Sequence, residues 1–91
     1  MKIVCVCGMG IGTSILLKMN TEKAAAKLGI DADVTAADIS SARGEAQGCD
    51  LILTSQELAT ELDGVSVPVV VINNFLNVDE IEMKLRSAAG R

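Results

Sequence analysis

The stretch CVCGMGIGTS, residues 5–14, holds two cysteines, three glycines and a Thr-Ser pair. Gly8, Gly10 and Gly12 alternate with Met9 and Ile11, directly after Cys7. Glycines at this spacing accept the left-handed backbone angles of a tight loop. In such a loop successive N–H groups turn inward as an anion nest, and a following helix N-terminus adds its dipole. The hydroxyls of Thr13 and Ser14 supply further donors. The same field favours a thiolate at Cys7. A thiolate inside a phosphate-sized nest is equipped for in-line attack on phosphorus, giving a phosphocysteine held by the same N–H groups. Cys7 is the expected nucleophile, and Gly8, Met9, Gly10, Ile11, Gly12, Thr13 and Ser14 the expected phosphate cradle.

The plainer alternative is a tight strand–helix turn with Cys7 as a small buried residue. Three alternating glycines with a Thr-Ser pair exceed what a turn requires, which favours the chemical reading. Cys5, flanked by Val4 and Val6, reads as core, and Cys49 at a strand start as structural. Met9 is expected to face outward toward partners, whereas Ile11 could face out or reach into the core.

Two better-known loops fit less well. A dinucleotide fingerprint needs G-x-G-x-x-G and a larger sheet. A low-molecular-weight tyrosine phosphatase uses Cys-x5-Arg, and here the residue after that spacing is Thr13. Without that Arg and a general acid, the loop suits carrying phosphate better than hydrolysing it.

The elements that must position this loop are legible in the pattern. Lys2–Val6 is an apolar, β-branched run, as in a strand buried on both faces. From Gly12 or Thr13 the period becomes helical, with Ile15, Leu16, Met19 and Ala26 as the inner stripe, Lys18, Thr21 and Glu22 off it, and Gly29 as the stop. Residues 30–37 alternate, with Ile30, Val34 and Ala36 inward, as an exposed edge strand does. Residues 40–47 form a short weak helix, Leu51–Thr54 a buried strand, and residues 55–62 a helix begun by Ser55. Residues 68–72 read as another buried strand. Asn77 and Glu80 then suggest a capping box before the stripe Val78, Ile81, Leu85 and Ala88.

Strands alternating with helices imply an α/β fold with a four-stranded parallel sheet and helices on both faces. The second strand is the most exposed, which gives the order 2-1-3-4. Ligands in such sheets sit at the C-terminal strand ends beside the switch point, where Cys7 falls. Thr54, Ser55, Asn73 and Asn74 share that edge. They are candidates for touching phosphate or a partner, with capping for Ser55 and a turn for the Asn pair as alternatives.

With 91 residues, 1–91 is expected to be a single domain. The chain has no His, which excludes a phosphohistidine of its own, a Cys-His pair and the usual zinc sets; no cofactor or metal is expected. The net charge of −4 and the lone aromatic residue, Phe75, argue against nucleic-acid binding. No apolar run approaches the ~20 residues of a membrane span, and MKIVCVC is too short for a signal peptide. An odd number of cysteines then points to free thiols in a reducing cytoplasm.

The segments VCGMGIGTS (6–14), LLKMNTEKAAAKLGI (16–30), ADISSA (37–42), DLILTSQELA (50–59) and VPVVVINNF (67–75) resemble the IIB component of the bacterial phosphoenolpyruvate-dependent sugar phosphotransferase system, in its ascorbate-type (L-ascorbate/galactitol) branch. The likeness spans nearly the whole chain, and its first segment is the specific one. It implies that Cys7 accepts phosphate from a phosphohistidine on a IIA component and passes it to a sugar bound by the membrane IIC component. Competing readings are a small Cys-dependent phosphatase or arsenate-reductase-like enzyme, and a regulatory module that senses phosphate.

Overall fold

The computed structural model describes the backbone of residues 1–6, 11–62 and 64–88, and the side chains of these except 11–14, 43, 45 and 46. The element order is β1 (Lys2–Val6), α1 (Ile11–Leu28), β2 (Asp33–Ala37), α2 (Ile39–Ala46), β3 (Leu51–Thr54), α3 (Gln56–Ala59), a 3-10 turn (Thr60–Leu62), β4 (Val69–Val71) and α4 (Val78–Ala88). All pairings are parallel and the sheet order is β2-β1-β3-β4, as the pattern predicts.

β1 and β3 are the central strands. Register sets Ile3 beside Leu51, Val4 beside Ile52 and Cys5 beside Leu53. The side-chain period of two then sorts the core into two layers. Ile3, Cys5, Leu51 and Leu53 pack under Leu17, Ala24 and Ala25 of α1 and Ile81 and Leu85 of α4. Val4, Val6 and Ile52 pack on the other face against Ala42, Cys49 and Leu62. Cys5 and Cys49 are both buried and neither is in a disulfide, in keeping with the core and structural positions expected for them.

The inner face of α1 is not the stripe expected from residue types. Ile15, Leu16, Met19 and Ala26 are all exposed, whereas Leu17, Thr21, Ala24 and Ala25 are buried. The explanation lies in Thr21. Its hydroxyl donates to the Leu17 carbonyl at 2.7 Å and accepts from the Cys5 thiol at 3.6 Å, so the residue is buried with its polar atom satisfied. The alanines beside it let the helix lie close to the sheet. Ile15, Leu16 and Met19 point outward, and a count of apolar types selects the wrong side.

Smaller differences have local causes. β2 begins at Asp33 rather than 30, because Ile30 belongs to the cap of α1: Ile30 N–H donates to Ala25 and Gly29 N–H to Ala26, at 2.9 and 3.2 Å. This is a Schellman closure, with Gly29 at φ +71° where other residues are strained. Ala36, on the inward side of the expected alternation, is exposed in this edge strand. α2 begins at Ile39 because Asp38 caps it, accepting from Ser41 N–H at 2.9 Å. The expected helix over 55–62 is split into α3 and the 3-10 turn. β4, expected to be buried, is half-buried throughout because it pairs on one side only. α4 keeps its stripe: Ile81 and Leu85 are fully buried, with Val78 and Ala88 packed on the same layer.

The two faces of α1 separate by mutation. Leu17→Ala should cost about 2–5 kcal/mol, as a cavity between sheet and helix does. Met19→Ala should stay within about 0.5 kcal/mol, the range of surface changes. Urea unfolding of both variants checks the assignment, and the reverse ranking would restore the stripe of larger side chains.

Candidate functional site at the C-terminal sheet edge

In a parallel sheet every strand ends on the same side, so Val6, Ala37, Thr54 and Val71 share one edge. The chain leaves β1 toward β2 on one side, and β3 lies on the other. This is the switch point at which α/β sheets bind ligands. Cys7, Gly8, Met9 and Gly10 follow Val6 in the chain and lie outside the described residues, as do the side chains of Ile11, Gly12, Thr13 and Ser14.

The backbone alters the expected division of the cradle. α1 begins at Ile11, not at Gly12 or Thr13. Residues 11–14 therefore form the first helical turn, and only 7–10 connect it to the strand. First-turn N–H groups have no acceptor within a helix, and that end carries about half a positive charge. The first turn of α1 carries no acidic residue, while that of α4 carries Asp79 and Glu80.

Thr54 has a different job from the one expected. It is fully buried, and its hydroxyl donates to the Val6 carbonyl at 3.1 Å. The carbonyl immediately before Cys7 is thereby tied to the end of β3, and Ile72 N–H in turn donates to the Thr54 carbonyl at 2.8 Å. Thr54 thus braces the strand end from within the sheet. Ser55 is a helix cap, accepting from Leu58 N–H at 3.4 Å.

Asn73 and Asn74 are exposed, and their backbone N–H groups both donate to the Glu80 carboxylate, at 2.8 and 3.0 Å. The Asn74 side chain accepts from Leu76 N–H at 3.0 Å, the turn role foreseen for it. Half of the expected capping box is present. Asn77 Oδ1 accepts from Glu80 N–H at 3.1 Å, but the Glu80 carboxylate reaches the 73–74 backbone instead of Asn77. Lys84 completes the group, donating to Glu80 Oε2 at 2.8 Å and to the Val71 carbonyl at 2.6 Å.

Sequence reasoning missed Glu80 as the organiser of this corner, although Glu80 and Lys84 stand at the i, i+4 spacing of a helical ion pair. It also missed Asn20, whose side-chain amide donates to the Phe75 carbonyl at 2.7 Å and ties α1 to the same segment. No local pattern signals that contact. The same segment borders an open groove of about 390 Å³ lined by Leu16, Ile72, Phe75 and Leu76, with Ser55, Asn73 and Asn74.

Electrostatics sort the titratable groups here. Desolvation pushes the Cys5 thiol up to about 12, against the lowering effect of its contact with Thr21. Cys5 therefore stays protonated and is no nucleophile at neutral pH. Burial works against ionising Glu80, but Lys84 and the N–H groups of Asn73 and Asn74 outweigh it and hold the carboxyl at about 2. Among the described residues no group of His, Cys, Asp and Glu is arranged to hold a metal ion. Among the same residues no helix is long and apolar enough to cross a membrane.

An all-parallel 2-1-3-4 sheet with helices on both faces makes this a small α/β domain, and comparison with known proteins gives the family. The family described as the lactose/cellobiose-specific IIB subunit of the phosphotransferase system (PTS) matches residues 2–87. The chain belongs to this PTS IIB family. The ascorbate-specific PTS EIIB component of Mycoplasma pneumoniae is 31% identical over 86 residues, covering 93% of this chain and 90% of the relative. Its counterpart in Salmonella typhimurium is 29% identical over 85 residues, covering 92% and 84%. The lactose-specific IIB domain of Streptococcus pneumoniae superposes with a TM-score of 0.63 over 99% of this chain and 95% of that one; at 15% identity this speaks for the fold.

Two outcomes follow from the geometry. In native protein Cys5 should resist alkylation at pH 8 and react only on unfolding, as mass spectrometry of labelled peptides would show. For Glu80 the folded value lies below the ordinary 4.5. Its stabilisation is therefore complete above about 4.5 and is lost as pH falls toward 2. Glu80→Gln should lower stability by about 1–3 kcal/mol at pH 7 and flatten the acid side of the stability profile. An unchanged profile would remove Glu80 from this role.

Proposed function

We propose that this protein is the phosphoryl carrier of a sugar phosphotransferase system, acting through Cys7. The observation that carries the reading is the end of β1. It stops at Val6 on the ligand-binding edge of the sheet, its last carbonyl is braced by Thr54, and α1 starts at Ile11 with a first turn free of acidic residues. The residue that follows Val6 in the chain is a cysteine. Cys5 is excluded by burial, and Cys49 is buried as well.

In this reading the Cys7 thiolate attacks the phosphorus of a phosphohistidine on the IIA component. The S–P bond forms as the N–P bond breaks, and the released imidazole takes a proton. In the second step a sugar hydroxyl bound by the membrane IIC component attacks the same phosphorus. The O–P bond forms, the thiolate leaves, and the hydroxyl proton passes to a base. N–H groups at the start of α1 and along residues 8–10 would stabilise the equatorial oxygens in both steps. Position 13, where a phosphatase of this loop type has Arg, is Thr. That suits holding phosphate over delivering it to water. Relatives named as ascorbate-specific support L-ascorbate or a related carbohydrate as the sugar. The same reading places the protein in the cytoplasm, docking to IIA and IIC without entering the bilayer.

The test is phosphorylation by a phosphorylated IIA donor, followed by phosphorus NMR. Wild type should show a thiophosphate signal on Cys7. Cys7→Ser should lose it, and Cys5→Ser and Cys49→Ser should keep it. Label on Cys7→Ser would overturn the assignment, and steady turnover of an aryl phosphate would point to a phosphatase.

A further inference from the structure

At the sheet edge segment 73–76 is tied from two helices, α1 and α4. Glu80 of α4 takes two successive N–H groups on one carboxylate, at 2.8 and 3.0 Å. Lys84 links that carboxylate to the last carbonyl of β4 at 2.6 Å. From the opposite side Asn20 of α1 holds the Phe75 carbonyl at 2.7 Å. Surface connections are usually the loosest parts of a domain. Here two helices hold a few residues by charged and amide hydrogen bonds, yet Leu76 within them stays 66% exposed beside Leu16 at 46%. The bonds fix the backbone and leave the apolar side chain in water.

Size says what meets that side chain. A specific protein interface takes about 600–800 Å² from each partner. β4 lies two strands from β1 and neighbouring strands are about 4.8 Å apart, so the segment that continues β4 starts about 10 Å from the end of β1. A patch of that area reaches more than about 10 Å from its centre, so a protein that docks over the end of β1 meets segment 73–76 as well. The segment and the start of the site are also coupled mechanically. Asn20 stands on the helix that begins at Ile11, about 13 Å along its axis at 1.5 Å per residue.

We propose that Glu80 is a positioning residue for phosphoryl transfer: with Asn20 it holds segment 73–76 as a rigid wall of the face on which the phosphohistidine-bearing donor protein docks. This rests on the carrier reading above. Glu80 touches neither phosphate nor donor, and acts through the wall. Loosening the wall makes docking weaker and leaves the Cys7 chemistry unchanged once the donor is bound.

The test is steady-state transfer from a phosphorylated IIA donor to wild type, Glu80→Gln, Asn20→Ala and Glu82→Gln. The Gln amide keeps one acceptor but turns an NH2 toward the second N–H. Asn20→Ala releases the other end of the segment without altering charge. Glu82→Gln removes the same charge as Glu80→Gln from the same helix, where Glu82 faces Arg86 at 3.7 Å. The expected result is a KM for the donor raised about tenfold in Glu80→Gln and Asn20→Ala, with kcat and Cys7 alkylation within about twofold of wild type, and no change in Glu82→Gln. An unchanged KM in Asn20→Ala or in folded Glu80→Gln, a fall in kcat alone, or an equal rise in Glu82→Gln overturns the positioning role. Absence of phosphorylation in wild type overturns the carrier reading itself, a result separate from any of these.

Discussion

A strand buried on both faces turns no side chain to water, so helices must cover it from two sides. β1 imposes this condition here. Ile3 and Cys5 need α1 and α4, while Val4 and Val6 need α2 and the turn ending at Leu62. A parallel strand also needs a crossover before its neighbour can pair. Once β1 is central, the right-handed crossovers, the 2-1-3-4 order and the common edge of strand ends follow together. The end of β1 lies on that edge between the ends of β2 and β3.

Much of this was legible because buried parallel strands have few compositional options. KIVCV and LILT read as central strands in any context, and Gly29 and Asn77 mark helix ends by conformational chemistry that neighbours do not overrule. The inner face of α1 was not legible. Hydrophobic patterning assumes that apolar types face the core, and Thr21 defeats the assumption by satisfying its hydroxyl within the helix. Once Thr21 counts as buried, positions 17, 21, 24, 25 and 28 form a proper helical stripe. The outward-facing Ile15, Leu16 and Met19 are then a property of the surface.

At the site, the strand pattern located the edge but not the parts that hold it together. Thr54 looked like a ligand because of its place at a strand end, and its hydroxyl is spent on the carbonyl of Val6. Glu80 looked like half of a local cap, and its carboxylate bonds a segment six and seven residues earlier in the chain. Asn20 meets Phe75 across 55 residues. Such contacts depend on how α1 and α4 lie against each other, which no local window contains.

The Lys84 contact also bears on how copies of the molecule behave beside one another. Residues 68 and 72 turn their backbone groups toward β3, so those of Val69 and Val71 face away from the sheet. Among the described residues β4 is thus an unpaired margin of three consecutive valines, a sequence that readily recruits another strand. The ammonium of Lys84 sits on the outward carbonyl of Val71 and sets a charge where an incoming backbone would pair. With so short a strand, one occupied carbonyl removes much of the template. The residue that steadies a corner of the site thus also sets a charge on the outer strand of the sheet.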